Sequence, residues 1–293
     1  MKKVIITGGS GFIGSRFIRR WQKSFDILSP THQELDITNK DAVVQYVKKN
    51  GADVILHTAA ISNTGYCEEH PEESYLVNTL ATTYLAEAAK AIGAKFVFFS
   101  SDQIYNGNKE EGLLSEDIDV APVNHYGRHK LEAENRVLEI APDAVALRAT
   151  WMYDIPREGM PAHPNFYTNL SNAIEEERPL QYAIYEHRGI TNAREVIELL
   201  PLTFDLPGGV YNYGAENHLN TFDTAYSFVK IRHGEKVAEK VVKADKERFA
   251  QQPRNISISM DKIRQASDNK IYFTNTFDGL LEWEKKYKEY DFD

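Results

Sequence analysis

Short runs of consecutive apolar residues alternate, along the first half of the chain, with longer stretches in which apolar residues recur every three or four positions. The runs are typical of strands buried on both faces of a parallel sheet, and the recurring pattern is typical of helices. The runs lie at Val4–Ile6 and at residues 25–28, 53–57, 95–99 and 145–148, and helical patterns separate them, as at residues 12–22, 39–49 and 71–93. This alternation predicts an α/β fold with a Rossmann-like, doubly wound parallel sheet.

The pattern changes after residue 153. Pro156, Pro161 and Pro164 interrupt the chain there. Shorter elements follow, with helices near residues 165–177, 221–232 (Thr221 as candidate cap), 260–265 and 277–287, and strands near 180–185 and 210–213. We predict a first domain over residues 1–153 and a smaller C-terminal α/β part over residues 154–293, with later segments such as 190–213 returning to the first domain.

Four glycines separate the first predicted strand from the first predicted helix. They fit two spacings at once, Gly8-x-x-Gly11-x-x-Gly14 and Gly9-x-Gly11-x-x-Gly14. Such a loop permits a tight turn, lets the backbone approach a pyrophosphate and ends at a helix N-terminus that attracts phosphate. The pattern therefore predicts a dinucleotide-binding first domain. The residues predicted to contact the cofactor are Gly8, Ser10, Gly11, Phe12, Ile13 and Gly14, together with the small residues Ala59 and Ala60 after the third strand.

The residues after the second strand bear on which nicotinamide cofactor is used. Dinucleotide folds commonly place an Asp or Glu there to hold the ribose 2′-hydroxyl. This chain instead has Ser29, Pro30, Thr31 and His32. Without a carboxylate a 2′-phosphate is not repelled, and Arg16 or His32 can pair with it. We therefore expect NADP(H) to be preferred and NAD(H) to be possible, with a solvated surface position as the alternative for Arg16.

Composition narrows the classes of partner. The chain has 293 residues, 42% of them hydrophobic, and a net charge of −9 at pH 7, which argues against nucleic-acid binding. Cys67 is the single cysteine, so no intramolecular disulfide is expected, and the scattered histidines predict no metal site. No apolar run approaches the ~20 residues of a membrane-spanning helix. Because the first residues predict a strand rather than a signal peptide, we expect a cytoplasmic protein with no membrane partner.

Three side chains suggest carbonyl chemistry. Ser101 follows the fourth strand, at the sheet edge where such folds bind ligands, and Tyr126 and Lys130 are four residues apart on one predicted helix face. A lysine ammonium near the phenol should lower the tyrosine pKa from about 10, and the Ser101 hydroxyl can orient a carbonyl. With a hydride from nicotinamide, Ser101, Tyr126 and Lys130 predict the catalytic residues of a carbonyl reductase.

Together these motifs resemble the extended short-chain dehydrogenases/reductases. The similar pieces are Thr7–Gly14, Leu35–Ile37, His57–Ala60, Ser100–Asp102 and Tyr126–Lys130. Within that superfamily the chain most resembles the dTDP-4-dehydrorhamnose reductase (sugar-nucleotide-binding) family, through Ser101–Gly107, Ala121–Gly127, Leu147–Tyr153, Asn165-Phe166 and Arg254-Asn255. It departs from that family's pattern after Ala60 and in the segment Tyr185–Asn192.

The resemblance implies NADPH-dependent reduction of the 4-keto group of a nucleotide-linked deoxysugar by a homodimer. It implies that Tyr126 donates the proton and that Lys130 binds the nicotinamide ribose. It also implies that Asp36 and Ile37 contact the cofactor, although Asp36 can equally serve as a local cap. The implied substrate-binding residues are Asp102, Gln103, Trp151, Asn165 and Arg254, with Arg254 suited to a diphosphate; an ordinary surface role is the alternative for Asn165 and Arg254.

Two other readings stay open at this point. The first is an NDP-sugar epimerase or dehydratase, because Asp102 stands where dehydratases carry an acid; Gln103, however, is not the second acid that they usually have. The second is a non-catalytic NADP-binding regulatory subunit, such as that of methionine adenosyltransferase. The intact pair of Tyr126 and Lys130 argues against this second reading.

Overall fold

The computed structural model describes residues 1–156 and 158–287. Its first half contains β1 (Lys3–Thr7), α1 (Phe12–Trp21), β2 (Asp26–Leu28), α2 (Lys40–Asn50), β3 (Val54–His57), α3 (Thr64–Glu69), α4 (Pro71–Tyr75), a π-helical segment (Leu76–Leu80), α5 (Ala81–Ile92), β4 (Lys95–Ser101), a 3₁₀ helix (Asp102–Tyr105), α6 (His125–Ile140) and β5 (Val145–Ala149). The second half contains β6 (Trp151–Tyr153), α7 (Phe166–Glu175), β7 (Leu180–Ala183), β8 (Glu186–Arg188), β9 (Ile190–Asn192), α8 (Ala193–Leu199), a second 3₁₀ helix (Leu200–Asp205), β10 (Gly209–Tyr213), α9 (Thr221–His233), α10 (Glu235–Val241), β11 (Val242–Asp245), β12 (Arg254–Ile256), α11 (Asp261–Ala266) and α12 (Thr276–Tyr287).

A six-stranded parallel sheet forms the centre of the molecule. Its order is β10-β5-β4-β3-β1-β2. β2 therefore pairs with one side of β1, and β3 pairs with the other side. Val4 and Ile6 pack into one core cluster and Ile5 into another, because successive side chains of a strand point to opposite faces. Both faces are therefore buried, and the predicted Rossmann-like fold is confirmed.

The C-terminal part contains three two-stranded parallel ladders, β6 with β9, β7 with β11 and β8 with β12. It has a hydrophobic core of its own, which includes Tyr153, Phe166, Leu170, Phe228 and Leu280. The strand β10, in contrast, returns to the central sheet and pairs with β5. The division of the chain at residue 153 stays a prediction.

Asparagine side chains cap the N-termini of many helices. Asn124, for example, accepts a hydrogen bond from the backbone N–H of Gly127 at the start of α6. The cap of α9 is Asn220 rather than Thr221, which the sequence suggested. Each such cap typically contributes about 1 kcal/mol, because it satisfies a backbone donor that the helix leaves unpaired. No helix within residues 1–156 and 158–287 combines the length and the apolar content needed to cross a bilayer.

Candidate active site

The glycine loop joins β1 to α1 at the point where the strand order reverses, which is where doubly wound sheets bind ligands. Gly8 has φ +76°, and a Cβ atom on it would lie 2.6 Å from the backbone nitrogen of Ala59. A Cβ on Gly14 would lie 2.3 Å from the carbonyl oxygen of Gly8. Larger residues are therefore excluded from both positions. No side chain caps α1, so its first N–H groups suit an anion, and the loop fits a dinucleotide pyrophosphate.

A buried histidine ties the two strands that lead into this loop. The Thr7 hydroxyl lies 2.6 Å from Nδ1 of His57, and Nε2 of His57 lies 3.0 Å from the Thr82 hydroxyl. Because Thr82 donates its own hydrogen to the carbonyl of Asn78, Nε2 of His57 must donate and Nδ1 must accept. Burial lowers the pKa of His57 to about 3. The sequence motifs did not point to a role for this side chain.

Arg16 does not lie where the cofactor prediction needed it. Its side chain is 1% exposed, and Nε donates to Asp154 at 2.6 Å. Nη1 donates to the carbonyl oxygens of Phe12 and Pro161 at 2.8 and 3.1 Å. The guanidinium is thus held in a buried ion pair. It is neither a solvated surface group nor directed to a 2′-phosphate, so both interpretations of Arg16 were wrong.

The other residues that follow the second and third strands differ from one another in burial and in contacts. A Cβ on Gly9 would lie 1.8 Å from the Ser29 hydroxyl oxygen, so Ser29 contacts the glycine loop. His32 is exposed. Asp36 accepts hydrogen bonds from the backbone N–H and the hydroxyl of Thr38 at 2.9 and 2.6 Å. This is the local capping role that the sequence offered as the alternative to a cofactor contact. Ile37 is buried, Ala59 is half-buried and Ala60 is exposed, and the predicted cofactor contacts of these three and of Asp36 stay predictions.

Tyr126 and Ser101 are brought together by a close approach between two helices. Gly127 lies in the first turn of α6, beside the 3₁₀ helix that follows Ser101, and a Cβ on Gly127 would lie 2.5 Å from the carbonyl oxygen of Gln103. The Ser101 hydroxyl lies near enough to the Tyr126 phenol to lower its pKa, and it donates its hydrogen to Asp102 at 3.3 Å. Lys130 donates from Nζ to the carbonyl oxygen of Phe99 at 2.8 Å, 6.0 Å from the centre of the Tyr126 ring. The three predicted catalytic residues therefore share one site.

The electrostatics of this site differ from the expectation. Burial raises the pKa of the Tyr126 phenol above its usual value, and the nearby Ser101 hydroxyl only partly opposes this effect. Burial also lowers the pKa of Lys130 to about 8. The expected lowering of the Tyr126 pKa by Lys130 was wrong for this structure, because Nζ is directed to a backbone carbonyl and the surroundings of the phenol disfavour a phenolate.

A cluster of charged side chains lies beside the catalytic residues. Nη2 of Arg188, at the end of β8, donates to Asp102 at 3.4 Å, and Nη1 lies 3.7 Å from Glu186. Arg254, at the start of the paired strand β12, also forms an ion pair with Glu186. The Arg188 guanidinium carbon lies 4.8 Å from the centre of the Trp151 ring. Three of the predicted substrate-binding residues, Asp102, Trp151 and Arg254, thus belong to one cluster.

Both arginines of this cluster keep an unused donor. The Nε atoms of Arg188 and Arg254 are buried and have no hydrogen-bond partner among the described residues. An unpaired buried donor is costly, so each guanidinium has a donor left for an anionic ligand. Burial raises the pKa of Asp102, while both arginines oppose that effect.

Arg188 was missed by sequence reasoning. It lies in the segment Tyr185–Asn192, where the chain departs from the family pattern, and that departure was the one available signal. Its partner Asp102 is far away in sequence. β12 packs against the 3₁₀ helix and pairs with β8, and this arrangement brings Arg188 to Asp102.

Gln103 and Asn165 are both held by local contacts. Gln103 donates to Asp102 at 3.4 Å and accepts from Asn124 at 3.1 Å, so it lies in the same polar site. Asn165 is 2% exposed. Its oxygen caps α7 by accepting from Thr168, and its nitrogen donates to the carbonyl of Asp154. The geometry therefore gives Asn165 a capping role and does not support the predicted substrate contact.

No group of three or more His, Cys, Asp or Glu side chains within the described ranges is arranged to hold a metal ion.

Comparison with known proteins gives a consistent family assignment. The model of the RmlD substrate binding domain family matches residues 1–279. The chain is 24% identical to the dTDP-4-dehydrorhamnose reductase of Aggregatibacter actinomycetemcomitans, over 91% of this chain and 93% of that protein. It is 33% identical to the dTDP-4-dehydrorhamnose reductase of Mycolicibacterium smegmatis, but that match spans 52% of this chain and 46% of that protein, about half of each.

A solved structure supports the fold. The dTDP-4-dehydrorhamnose reductase from Bacillus anthracis in complex with NADP superimposes with a TM-score of 0.82 at 22% identity, covering 98% of this chain and 100% of that one. The resemblance stated from the sequence motifs is confirmed. The chain belongs to the RmlD substrate binding domain family.

Proposed function

We propose that this protein is an NADPH-dependent reductase that acts on the 4-keto group of a nucleotide-linked deoxysugar, as a dTDP-4-dehydrorhamnose reductase does. The observation that carries the proposal is the position of Ser101, Tyr126 and Lys130 beside the charged cluster of Arg188 and Arg254. The family membership and the names of the relatives support it. The NADP in the Bacillus anthracis structure supports the cofactor.

The protein's own groups suit a reduction. The Ser101 hydroxyl hydrogen-bonds the substrate carbonyl oxygen and polarises it. Tyr126 donates its phenolic proton to that oxygen as negative charge develops. Because burial keeps the Tyr126 pKa above its usual value, the phenol is fully protonated at neutral pH and is ready to act as the acid. A bound nicotinamide supplies the hydride.

The arginine cluster suits the diphosphate of the substrate. Arg188 and Arg254 each offer a buried Nε donor, and guanidinium groups bind phosphate oxygens with strong charge-assisted hydrogen bonds. Asp102 and Glu186 hold the guanidiniums in place before the substrate arrives. A diphosphate bound here would place the attached sugar next to Tyr126, and Trp151 would contact the sugar.

The preference for NADPH is part of the proposal, with NADH as a possible cofactor. Since Arg16 is committed to Asp154, Ser29 and His32 are the residues near β2 that we propose for the 2′-phosphate. We also propose a cytoplasmic homodimer, on the family resemblance alone.

The epimerase or dehydratase reading is less well supported by the site. A dehydratase needs an acid that can exchange a proton with the sugar. Asp102 is instead paired with Arg188 and contacted by Gln103 and Ser101. The structure therefore favours a holding role for Asp102.

The test follows the loss of reduced-nicotinamide absorbance, with NADPH and then NADH, on dTDP-4-keto-6-deoxy-L-mannose. We expect turnover with the wild-type protein and its loss in Tyr126→Phe, with NADPH binding retained in both. A Tyr66→Phe variant, altered on the exposed face of α3, is the matched control and should remain active. NADPH binding without turnover on any 4-keto sugar nucleotide would contradict the proposal and favour a regulatory role.

A further inference from the structure

A third buried side chain extends the stripe of Tyr126 and Lys130 along α6. Residues four apart on a helix lie on one face, and Glu134 follows Lys130 at that spacing. The three residues are 7%, 1% and 1% exposed, in chain order. A carboxylate so deeply buried needs a partner of opposite charge or a set of hydrogen-bond donors.

Its partner is Arg148 on the neighbouring strand β5. Nε of Arg148 donates to the two carboxylate oxygens of Glu134 at 3.1 and 3.2 Å, and Nη2 donates at 2.8 Å. In the sheet Arg148 lies opposite Ser100, and the next residue lies opposite Ser101. The bidentate pair therefore joins the active-site helix to the strands that carry the catalytic serine.

The same guanidinium also holds the polar turn after Ser101. Nη1 of Arg148 donates to the Tyr105 hydroxyl at 2.9 Å, and Tyr105 donates to Asn212 of β10 at 2.8 Å. Tyr105 is the last residue of the 3₁₀ helix that begins at Asp102. One buried network thus fixes α6, β5 and this turn relative to each other.

We propose that Glu134 and Arg148 are positioning residues for the proposed reduction. They hold α6 so that Tyr126 and Lys130 face Ser101, and they place a carboxylate one helical turn beyond the Lys130 ammonium. The inference rests on the proposed function, since neither residue touches the reacting groups. Deleting the pair should therefore alter the rate and its pH dependence rather than substrate binding.

The charges around Lys130 support this role. Burial lowers the Lys130 pKa to about 8, and Glu134 and Cys67 oppose that effect. Cys67 of α3 is a buried thiol with a raised pKa, His57 of β3 is neutral near pH 7 because its pKa is about 3, and the Tyr126 phenol has a raised pKa. Glu134 is thus the anion among these groups, and without it Lys130 would lose its proton at a lower pH.

The test replaces both partners, Glu134→Gln with Arg148→Met, because either change alone leaves a buried group unpaired. The matched control is Glu132→Gln with Arg136→Met, which removes a half-exposed Glu–Arg pair from the outer face of the same helix. In the Glu134/Arg148 variant we expect kcat to fall about ten- to a hundredfold. The KM for the sugar nucleotide should stay within about twofold of wild type, because Arg188 and Arg254 are unchanged.

The pH dependence of activity separates a positioning role from a merely structural one, because a merely structural pair would leave it unchanged. Activity that needs the Lys130 ammonium is lost as the pH rises through its pKa. Glu134 acts on the Lys130 pKa whereas Arg148 is not among the groups that shift it, so the alkaline limb should move down by about one pH unit in the Glu134/Arg148 variant and stay in place in the control. NMR of ¹³C-labelled lysine, with the Lys130 signal assigned by Lys130→Met, should show the same shift without any substrate.

The outcomes separate the two proposals. A folded Glu134/Arg148 variant that keeps kcat within about twofold, or in which Lys130 titrates as in wild type, overturns the positioning role. If the wild-type protein reduces no 4-keto sugar nucleotide but the Lys130 titration shifts as expected, the proposed function fails while the placement of charge by Glu134 stands.

Discussion

The buried His57 should make the stability of this protein fall with acid in a measurable way. Its ordinary pKa of 6.5 is lowered to about 3 in the folded protein by burial. The unfolded chain therefore binds a proton that the folded chain refuses, and stability is lost as the pH falls from 6.5 towards 3. Linkage gives a loss of about 2 kcal/mol between pH 8 and pH 5 from this one side chain.

The assay is urea unfolding at pH 8, 7, 6 and 5 for wild type and for His57→Asn, followed by fluorescence. Other titrating groups contribute equally to both proteins and cancel in the difference. We expect His57→Asn to be less stable at pH 8, because it disturbs the bonds to Thr7 and Thr82, but to lose about 2 kcal/mol less on acidification. His32→Asn, at an exposed position, should keep the wild-type pH dependence. Equal losses in wild type and His57→Asn between pH 8 and pH 5 would refute the reasoning.

Three further variants test single features of the site. Gly127→Ala places a Cβ 2.5 Å from the Gln103 carbonyl and should lower stability by about 1–3 kcal/mol and reduce kcat, as thermal unfolding and steady-state kinetics would show; normal values for both would mean that the close approach is dispensable. Arg188→Met should raise the KM for the sugar nucleotide at least about tenfold, from the loss of a charge-assisted contact, with little change in NADPH affinity measured by fluorescence titration; an unchanged KM would remove Arg188 from the diphosphate site. Asn165→Ala should cost about 1 kcal/mol of stability through the lost cap, Asn165→Ser should restore part of it because a serine hydroxyl can cap the helix, and neither should change the substrate KM; a large KM effect in both would return Asn165 to the substrate site.

The sheet and the catalytic residues could be predicted because their signals are local. Buried strands, the glycine spacing and the spacing of Tyr126 and Lys130 are all visible within short windows of sequence. The close packing at Gly127 then brings the helix to Ser101, as the family resemblance implied.

The features that the sequence did not show depend on three-dimensional contacts. Arg16 is paired with Asp154 and Arg188 with Asp102, and nothing local to either arginine distinguishes a buried partner from a phosphate ligand. Asn165 carries the residue type of both a helix cap and a sugar contact, and only its hydrogen bonds decide between them. For Tyr126, the sequence shows the neighbouring lysine but does not show the burial that raises the pKa of the phenol.

The return of β10 to the central sheet has a consequence for biosynthesis. β5 is completely buried, and one of its two neighbours, β10, emerges from the ribosome only after β6 to β9 have been made. Until then β5 pairs with β4 on one side only, and its other side is an open, apolar sheet edge of the kind that pairs with other chains and aggregates. A nascent or truncated protein that ends before Gly209 should therefore depend on chaperones, and the two halves should complete folding together.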